Sequence, residues 1–375
     1  MKRAFCWMLI LGLVISLGML GCAKKDKEIK VGVVAPLTGP AAPYGENIRD
    51  GAVLAIEEIN ASGGINGCPM VLVFEDEGAT PQQAVAAVNK LITVDRVPVI
   101  IGPSSSNGIL AAAPVAERNR VVLISPGAAS DNVRNAGDYI FRNRASAYQE
   151  AAALAKYALE DMALEKFAIL RTGADFGLSF AKVFREIISS EGGQILTEEA
   201  YHEGDVDFRT QLVKIKATKP DGVFFVGAPI ELGNILKQNQ QLGTRLTIFS
   251  NSIESPEVFK IAGEAAEGVI FSTTFYDPEH GDEKLQRFDR RYKERYGKLS
   301  DLFAANGYDA VYVVRQAIVD GGYDADKIKD AFYSLKDFRG LMGSIAFDEK
   351  GDVTALIAIK KIVGRKFQFI KVVQK

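Results

Sequence analysis

Three consecutive serines, Ser104, Ser105 and Ser106, separate an apolar run, "VPVIIG", from a helix-like run, "GILAAAPVAERN". Small hydroxyls at such a junction can cap the helix, attack a substrate, or join the free N–H groups of the helix start in cradling an anion. A serine nucleophile needs a histidine within reach and a carboxylate to orient it. The chain has two histidines, His202 in "AYHEGD" and His280 in "DPEHGD", and neither stands in a nucleophile pattern. "PLTGPAAPYGE" after the first apolar run is neither a dinucleotide-binding glycine pattern nor a P-loop, and "DFG" at 175–177 lacks its kinase companions. Zinc spacing is missing as well. No catalytic residue, metal or cofactor is therefore expected. Repetition favours the anion cradle over simple capping. "PLTGP", "SPGAAS", "RTGADFG", "VGAP" and "SNSIES" each follow an apolar run, with Tyr44 and Phe176 close to two of them. Open α/β sheets bind ligands at such carboxyl ends.

The apolar runs that carry these turns read as buried parallel strands. "IKVGVVAP", "MVLVFED", "VPVIIG" and "VVLISP" are short, continuous and β-branched, and helical spacing fills the segments between them. A second series of the same kind runs from residue 145 to "GVIFSTTF", and a tail of helices closes in a β-rich ending. Leftover helices after two complete series imply that the chain passes back and forth, with crossings expected at Arg142–Ala145, Ser272–Thr274 and Phe347–Asp348. The expected lobes are 29–144 plus 275–346 and 145–274 plus 347–375. No Pro-, Gly- or Ser-rich linker separates them, which favours a packed cleft.

The N-terminus stands apart. Lys2 and Arg3 precede an uncharged stretch, Ala4–Leu20, and "LGMLGC" ends with Gly21 before Cys22. This reads as an export signal at 1–21, followed by a lipidated Cys22 and a charged tether through residue 28. An uncleaved membrane anchor is the alternative, and both leave the folded part outside the cytoplasm. With Lys2 and Arg3 removed, 43 basic side chains face 47 acidic ones, a formal charge of −4. That balance gives no broad positive field for nucleic acid. Cys68 alone remains, so no internal disulfide forms.

Four stretches together resemble the leucine/isoleucine/valine-binding branch of the type I periplasmic binding proteins, receptors that feed ABC transporters. They are "IKVGVVAPLTGPAAPYGENIRDGAVLAIEEINASGGING", "VIIGPSSSNGILAAAPVAERNRVVLISPGA", "IAGEAAEGVIF" and "FDEKGDV". The resemblance implies two doubly wound parallel-sheet α/β lobes on a three-crossover hinge, closing on a branched-chain amino acid or related small carboxylate. It also implies an ABC permease as partner and a lipid anchor at Cys22. Carried over by position, the Ser106 hydroxyl and backbone groups of Ser105 and Gly127 would hold the ligand carboxylate. Tyr44 would line the side-chain pocket, and Phe176 stands where the family has a tyrosine. Three positions depart from the family. Ala129, with Ser130 beside it, replaces a threonine; Ala228 replaces a second tyrosine; Asn251 or Ser252 replaces the acid that holds the ligand ammonium. Glu254 lies near that last position. The departures suggest a wider pocket and a ligand without an α-ammonium, such as an aromatic acid or short amide. A ligand-sensing module for a chemoreceptor or kinase would share all these features.

Overall fold

The structure, a computed structural model, describes residues 28–39, 41–244 and 246–373. The export signal, Cys22 and most of the tether lie outside the described residues. Strand β1 (Ile29–Ala35) lies between β2 (Met70–Asp76) and β3 (Val99–Ile101). With β4 (Val122–Ser125) and β5 (Ile140–Arg142) they form a five-stranded sheet of order β2-β1-β3-β4-β5, parallel throughout. Helices α1 (Ala42–Ala61), α2 (Pro81–Lys90) and α3 (Ser106–Asn119) make the connections. Both faces are covered, which is why the strands are apolar without alternation. Val31, Val33, Val99 and Ile101 pack into one core, whereas Val34 and Ile100 pack into the opposite one.

The second sheet repeats this logic. Strands β6 (Lys166–Thr172), β7 (Gln194–Tyr201), β8 (Gly222–Val226), β9 (Thr247–Ser250) and β10 (Ile270–Thr274) are parallel in the order β10-β9-β8-β6-β7. Helices α4 (Ala147–Lys156), α5 (Asp175–Ser190), α6 (Arg209–Thr218), α7 (Pro229–Gln241) and α8 (Pro256–Ala262) accompany them. Phe167, Ile169 and Phe224 enter one core, and Ala168, Leu170 and Phe225 the other.

The chain then returns to the first sheet. Tyr276, α9 (Glu283–Tyr296), α10 (Leu302–Gly321) and α11 (Ala325–Ser334) contribute to the same core as α1 and β1. Contact between α1 and α10 is close: a Cβ on Gly51 would lie 1.9 Å from the Ala304 carbonyl oxygen, so only glycine fits. Helix α10 opens at Leu302, where the Asp301 side chain caps the Ala304 N–H at 2.8 Å. Among the described residues no helix is long and apolar enough to cross a membrane.

Two details differ from the sequence reading. Beyond the short hairpin β11 (Phe338–Gly340) and β12 (Gly343–Ile345), the last two strands, β13 (Ile357–Val363) and β14 (Lys366–Val373), join the second sheet antiparallel. Gly364 and Arg365, both at positive φ, form the two-residue hairpin turn that sets β14 antiparallel to β13. The third crossing also falls later than Phe347–Asp348. Phe347 bridges Val353, both remain in the first core, and the second core takes over at Ala355 and Ile357. The intervening turn is held by a buried clasp. Arg142 Nε and Nη2 donate to the two oxygens of Asp352 at 2.6 and 2.8 Å, and Nη1 donates to the Ser130 carbonyl at 2.8 Å.

Removing one partner of such a pair strands the other charge in the core. Asp352→Ala is expected to lower unfolding free energy by about 3–5 kcal/mol in urea titrations. A loss below about 1 kcal/mol would show that the clasp does not hold the crossing.

Candidate functional site

The carboxyl ends of both sheets face a shared cavity of about 400 Å³, a size suited to a small organic ligand. The first sheet contributes Thr38 after β1, Glu77 after β2, Ser104–Asn107 after β3 and Gly127 after β4. The second contributes Thr172 and Phe176 after β6, Glu203 after β7, Ala228 after β8, and Asn251 and Ser252 after β9. Arg144 comes from the first crossing and Phe303 from α10. Tyr44, at the start of α1, packs against Phe303 with ring centroids 4.3 Å apart. Burial pushes the Tyr44 hydroxyl well above its ordinary range, against the pull of the Arg144 charge.

Of the residues expected from sequence, Tyr44, Ser105, Ser106, Gly127, Phe176, Ala228, Asn251 and Ser252 all line this cavity. Ala129 does not. Its side chain packs in the core beside α4 and its carbonyl accepts the Ala147 N–H at 2.7 Å, so it serves the crossing. Ser105 lines the cavity but spends its backbone elsewhere. Its N–H donates to Glu77 at 2.9 Å, its carbonyl accepts from Ile109, and its hydroxyl bonds Glu77 while capping Gly108. Glu77 also takes the Ser104 N–H at 2.7 Å, so a protein carboxylate already sits on the start of α3. The helix start offers a ligand Ser106 instead. The Ser106 Oγ accepts the Ser130 N–H at 3.1 Å, which leaves its own proton to give. The Ser106 and Asn107 N–H groups have no acceptor among the described residues.

The second half of the rim carries an acid that the sequence reading did not single out. Asn251 is a structural cross-brace: its Oδ1 accepts the Gly227 N–H at 3.0 Å, and its Nδ2 donates to the Gly227 and Ser252 carbonyls. Glu254 is tied to Lys360 at 2.7 Å and lies off the lining. An acid on the lining comes from α7. Glu231, 4 % exposed, accepts from the Ala228 N–H at 3.2 Å, the Tyr201 hydroxyl at 3.1 Å and the Gly204 N–H at 2.8 Å. Burial, then the nearby Glu231 charge, pushes the Glu203 carboxyl up. Glu231 follows its helix start by three residues in "GAPIE", a spacing that marks a capping acid and so conceals a site role. Glu77, Arg144 and Phe303 gave no such local signal.

Direct contacts join the two lobes beside the cavity. Ala174, ahead of α5, has no capping side chain; Asn107 reaches across from α3 and accepts the Asp175 N–H at 3.0 Å. Ser179 on α5 accepts the Asp131 N–H at 2.9 Å and shares a proton with Ser130 at 3.3 Å. Ser130 is the residue whose N–H rests on Ser106, so the cradle and the lobe contact share one chain of hydrogen bonds.

A family model described as a periplasmic binding protein matches residues 28–362. The Leu/Ile/Val-binding protein BraC3 of Rhizobium johnstonii is 30% identical over 347 residues, covering 92% of this chain and 93% of its own. Among solved structures, the branched-chain amino acid transporter substrate-binding protein LivJ from Streptococcus pneumoniae, in complex with isoleucine, matches with a TM-score of 0.85. It is 29% identical and covers 92% of this chain and 99% of its own. A solute-binding protein of an ABC transporter from Rhodopseudomonas palustris, in complex with 3,4-dihydroxybenzoic acid, gives 0.83 at 25% identity, covering 92% and 97%.

Glu77 is 2 % exposed, and burial pushes its carboxyl up to about 7 despite three hydrogen bonds that pull the other way. The folded chain keeps this proton to about pH 7, whereas the unfolded chain releases it near 4.5. Folding therefore loses stability as pH rises through that window, by about 3 kcal/mol in total. In urea titrations from pH 4.5 to 8, the stability of Glu77→Gln relative to wild type should rise by up to that amount. Parallel profiles would refute the assignment.

Proposed function

This chain belongs to the periplasmic binding protein family, and we propose that it is the capturing receptor of an ABC importer for small carboxylates, amino acids among them. The observation that carries this reading is the cavity shared by the carboxyl ends of the parallel strands of two sheets. Three further points support it. Ser106 and the start of α3 offer donors to a carboxylate, Glu231 offers an acceptor to an ammonium, and Tyr44, Phe176 and Ala228 leave apolar space between them. An aromatic acid fits the same space as a branched side chain, in keeping with relatives named for leucine, isoleucine and valine and a neighbour holding a dihydroxybenzoic acid.

The mechanism is capture by closure. We take the lobes to be residues 29–144 with 275–353, and 145–274 with 354–373. Neither lobe alone encloses the ligand, so only the closed form makes both sets of contacts and gains their free energy. Asn107 capping α5 and Ser130 meeting Ser179 are contacts of that form, and they hang on the residue that touches the ligand. The permease would read the closed surface. Cys22, outside the described residues, would hold the receptor at the membrane by a lipid. Cys22→Ser should then move the protein from the membrane pellet to the supernatant, and retention in the pellet would refute the anchor.

Ser106→Ala removes the hydroxyl donor without opening a core. Calorimetric titration with leucine or 4-methylpentanoate should show affinity weakened by about 1–3 kcal/mol, while the Ser130 N–H that loses its acceptor lowers the melting temperature by only a few degrees. Unchanged affinity would contradict the cradle.

A further inference from the structure

Two arginines lie two residues apart at the first crossing, both almost fully buried, and they are treated differently. Arg142 is fully engaged by Asp352 and the Ser130 carbonyl. Arg144, 3 % exposed, is not. Its Nη1 donates to the Gly127 carbonyl at 2.7 Å, its Nη2 reaches Glu150 only at 3.3 and 3.4 Å, and its Nε has no partner among the described residues. Its guanidinium carbon stands 5.4 Å from the centre of the Phe303 ring, which packs against Tyr44. Among the described residues it is the single cationic side chain lining the cavity.

We propose that Arg144 is the charged anchor of the cleft: it pairs with the ligand carboxylate and makes the site choose acids over uncharged amides of the same shape. A guanidinium buried without a matched counter-charge is costly, and a carboxylate entering the cavity removes that cost through a charge-assisted hydrogen bond. Glu150 is a poor substitute. Its contacts are long, and burial pushes its carboxyl up more strongly than Arg144 draws it down. Of the three acids on the lining, Glu77 and Glu231 each hold three donors from their own lobe, and burial pushes the carboxyl of Glu203 up, toward its neutral form. Arg144 also bonds the carbonyl of Gly127, which lines the cavity and lies against Ser104 of the same serine loop as Ser106, so hydroxyl and cation both belong to the first lobe's side of it. Because Arg144 belongs to the crossing itself, a ligand held there touches the hinge as well as both rims.

This inference rests on the receptor reading, and the experiment separates the two. Leucine, 4-methylpentanoate, phenylacetate and benzoate, each paired with its amide, are titrated calorimetrically into wild type, Arg144→Gln, Arg144→Lys and Glu150→Gln, with melting curves alongside. At least one acid should bind wild type about tenfold or more tightly than its amide. Arg144→Gln should weaken that acid by about 10- to 100-fold and leave its amide within about threefold. Arg144→Lys should keep part of the preference, and Glu150→Gln should bind the acid at least as tightly as wild type. An acid-to-amide ratio unchanged in Arg144→Gln would overturn the anchor while leaving the receptor standing. So would a Glu150→Gln variant that loses the acid as Arg144→Gln does, since the buried pair would then matter only for structure. Should none of the four acids bind wild type, the receptor reading falls and the anchor falls with it.

Discussion

A chain that passes three times between two sheets must bury its crossings, and every polar group carried into them needs a partner. The first crossing carries two guanidiniums. One is spent on holding the crossings together: Arg142 closes on Asp352 of the third passage and on the Ser130 carbonyl of the first lobe. The other, Arg144, keeps an unsatisfied donor beside the cavity. Structure and function separate at these two neighbouring residues. Arg142 is saturated within the fold, and Arg144 is not.

The same division runs through the rest of the cleft. Glu77 occupies two backbone N–H groups at the start of α3 and fixes the loop after β3, leaving Ser106 to face the cavity. Asn251 braces the loops after β8 and β9, and Glu231 ties α7 to the end of β7. Among the described residues, five of the six buried side-chain atoms without partners lie at or next to the crossings, namely Asn143 Oδ1, Arg144 Nε, Gln149 Oε1, Ser272 Oγ and Asn306 Oδ1; the sixth, Asp95 Oδ2, follows α2. A hinge that serves an open and a closed form cannot satisfy every group in one of them, and spare capacity collects where the geometry changes.

Much of this was legible in the sequence because local pattern dictated it. "MVLVFED" is the strand Met70–Asp76 residue for residue: a continuous apolar run closed by two acids marks both ends even of this half-buried edge strand. Eight expected site residues meet at the cavity because turns at the carboxyl ends of parallel strands must converge. Illegible were the residues whose role depends on partners far along the chain. Arg144 reads as a surface charge in "FRNR", and only the packing of Phe303 and Tyr44 makes it a buried one. Glu77 reads as part of an acidic strand end, and Glu231 as a helix cap. The third crossing was misplaced for the same reason: the clasp that keeps Asp348–Asp352 on the first lobe is donated from Arg142 and Arg134, more than 200 residues away.

The central claim is that a small carboxylate is caught between Ser106, Arg144 and the facing rim. A crystal structure of the protein with its bound ligand tests it most directly. The account predicts a carboxylate within hydrogen-bond distance of both the Ser106 hydroxyl and the Arg144 guanidinium, its remaining atoms against Phe176 and Ala228, with the Asn107–Asp175 contact made. A ligand presenting a cationic or apolar group to Arg144, or one bound outside the cleft, would contradict it.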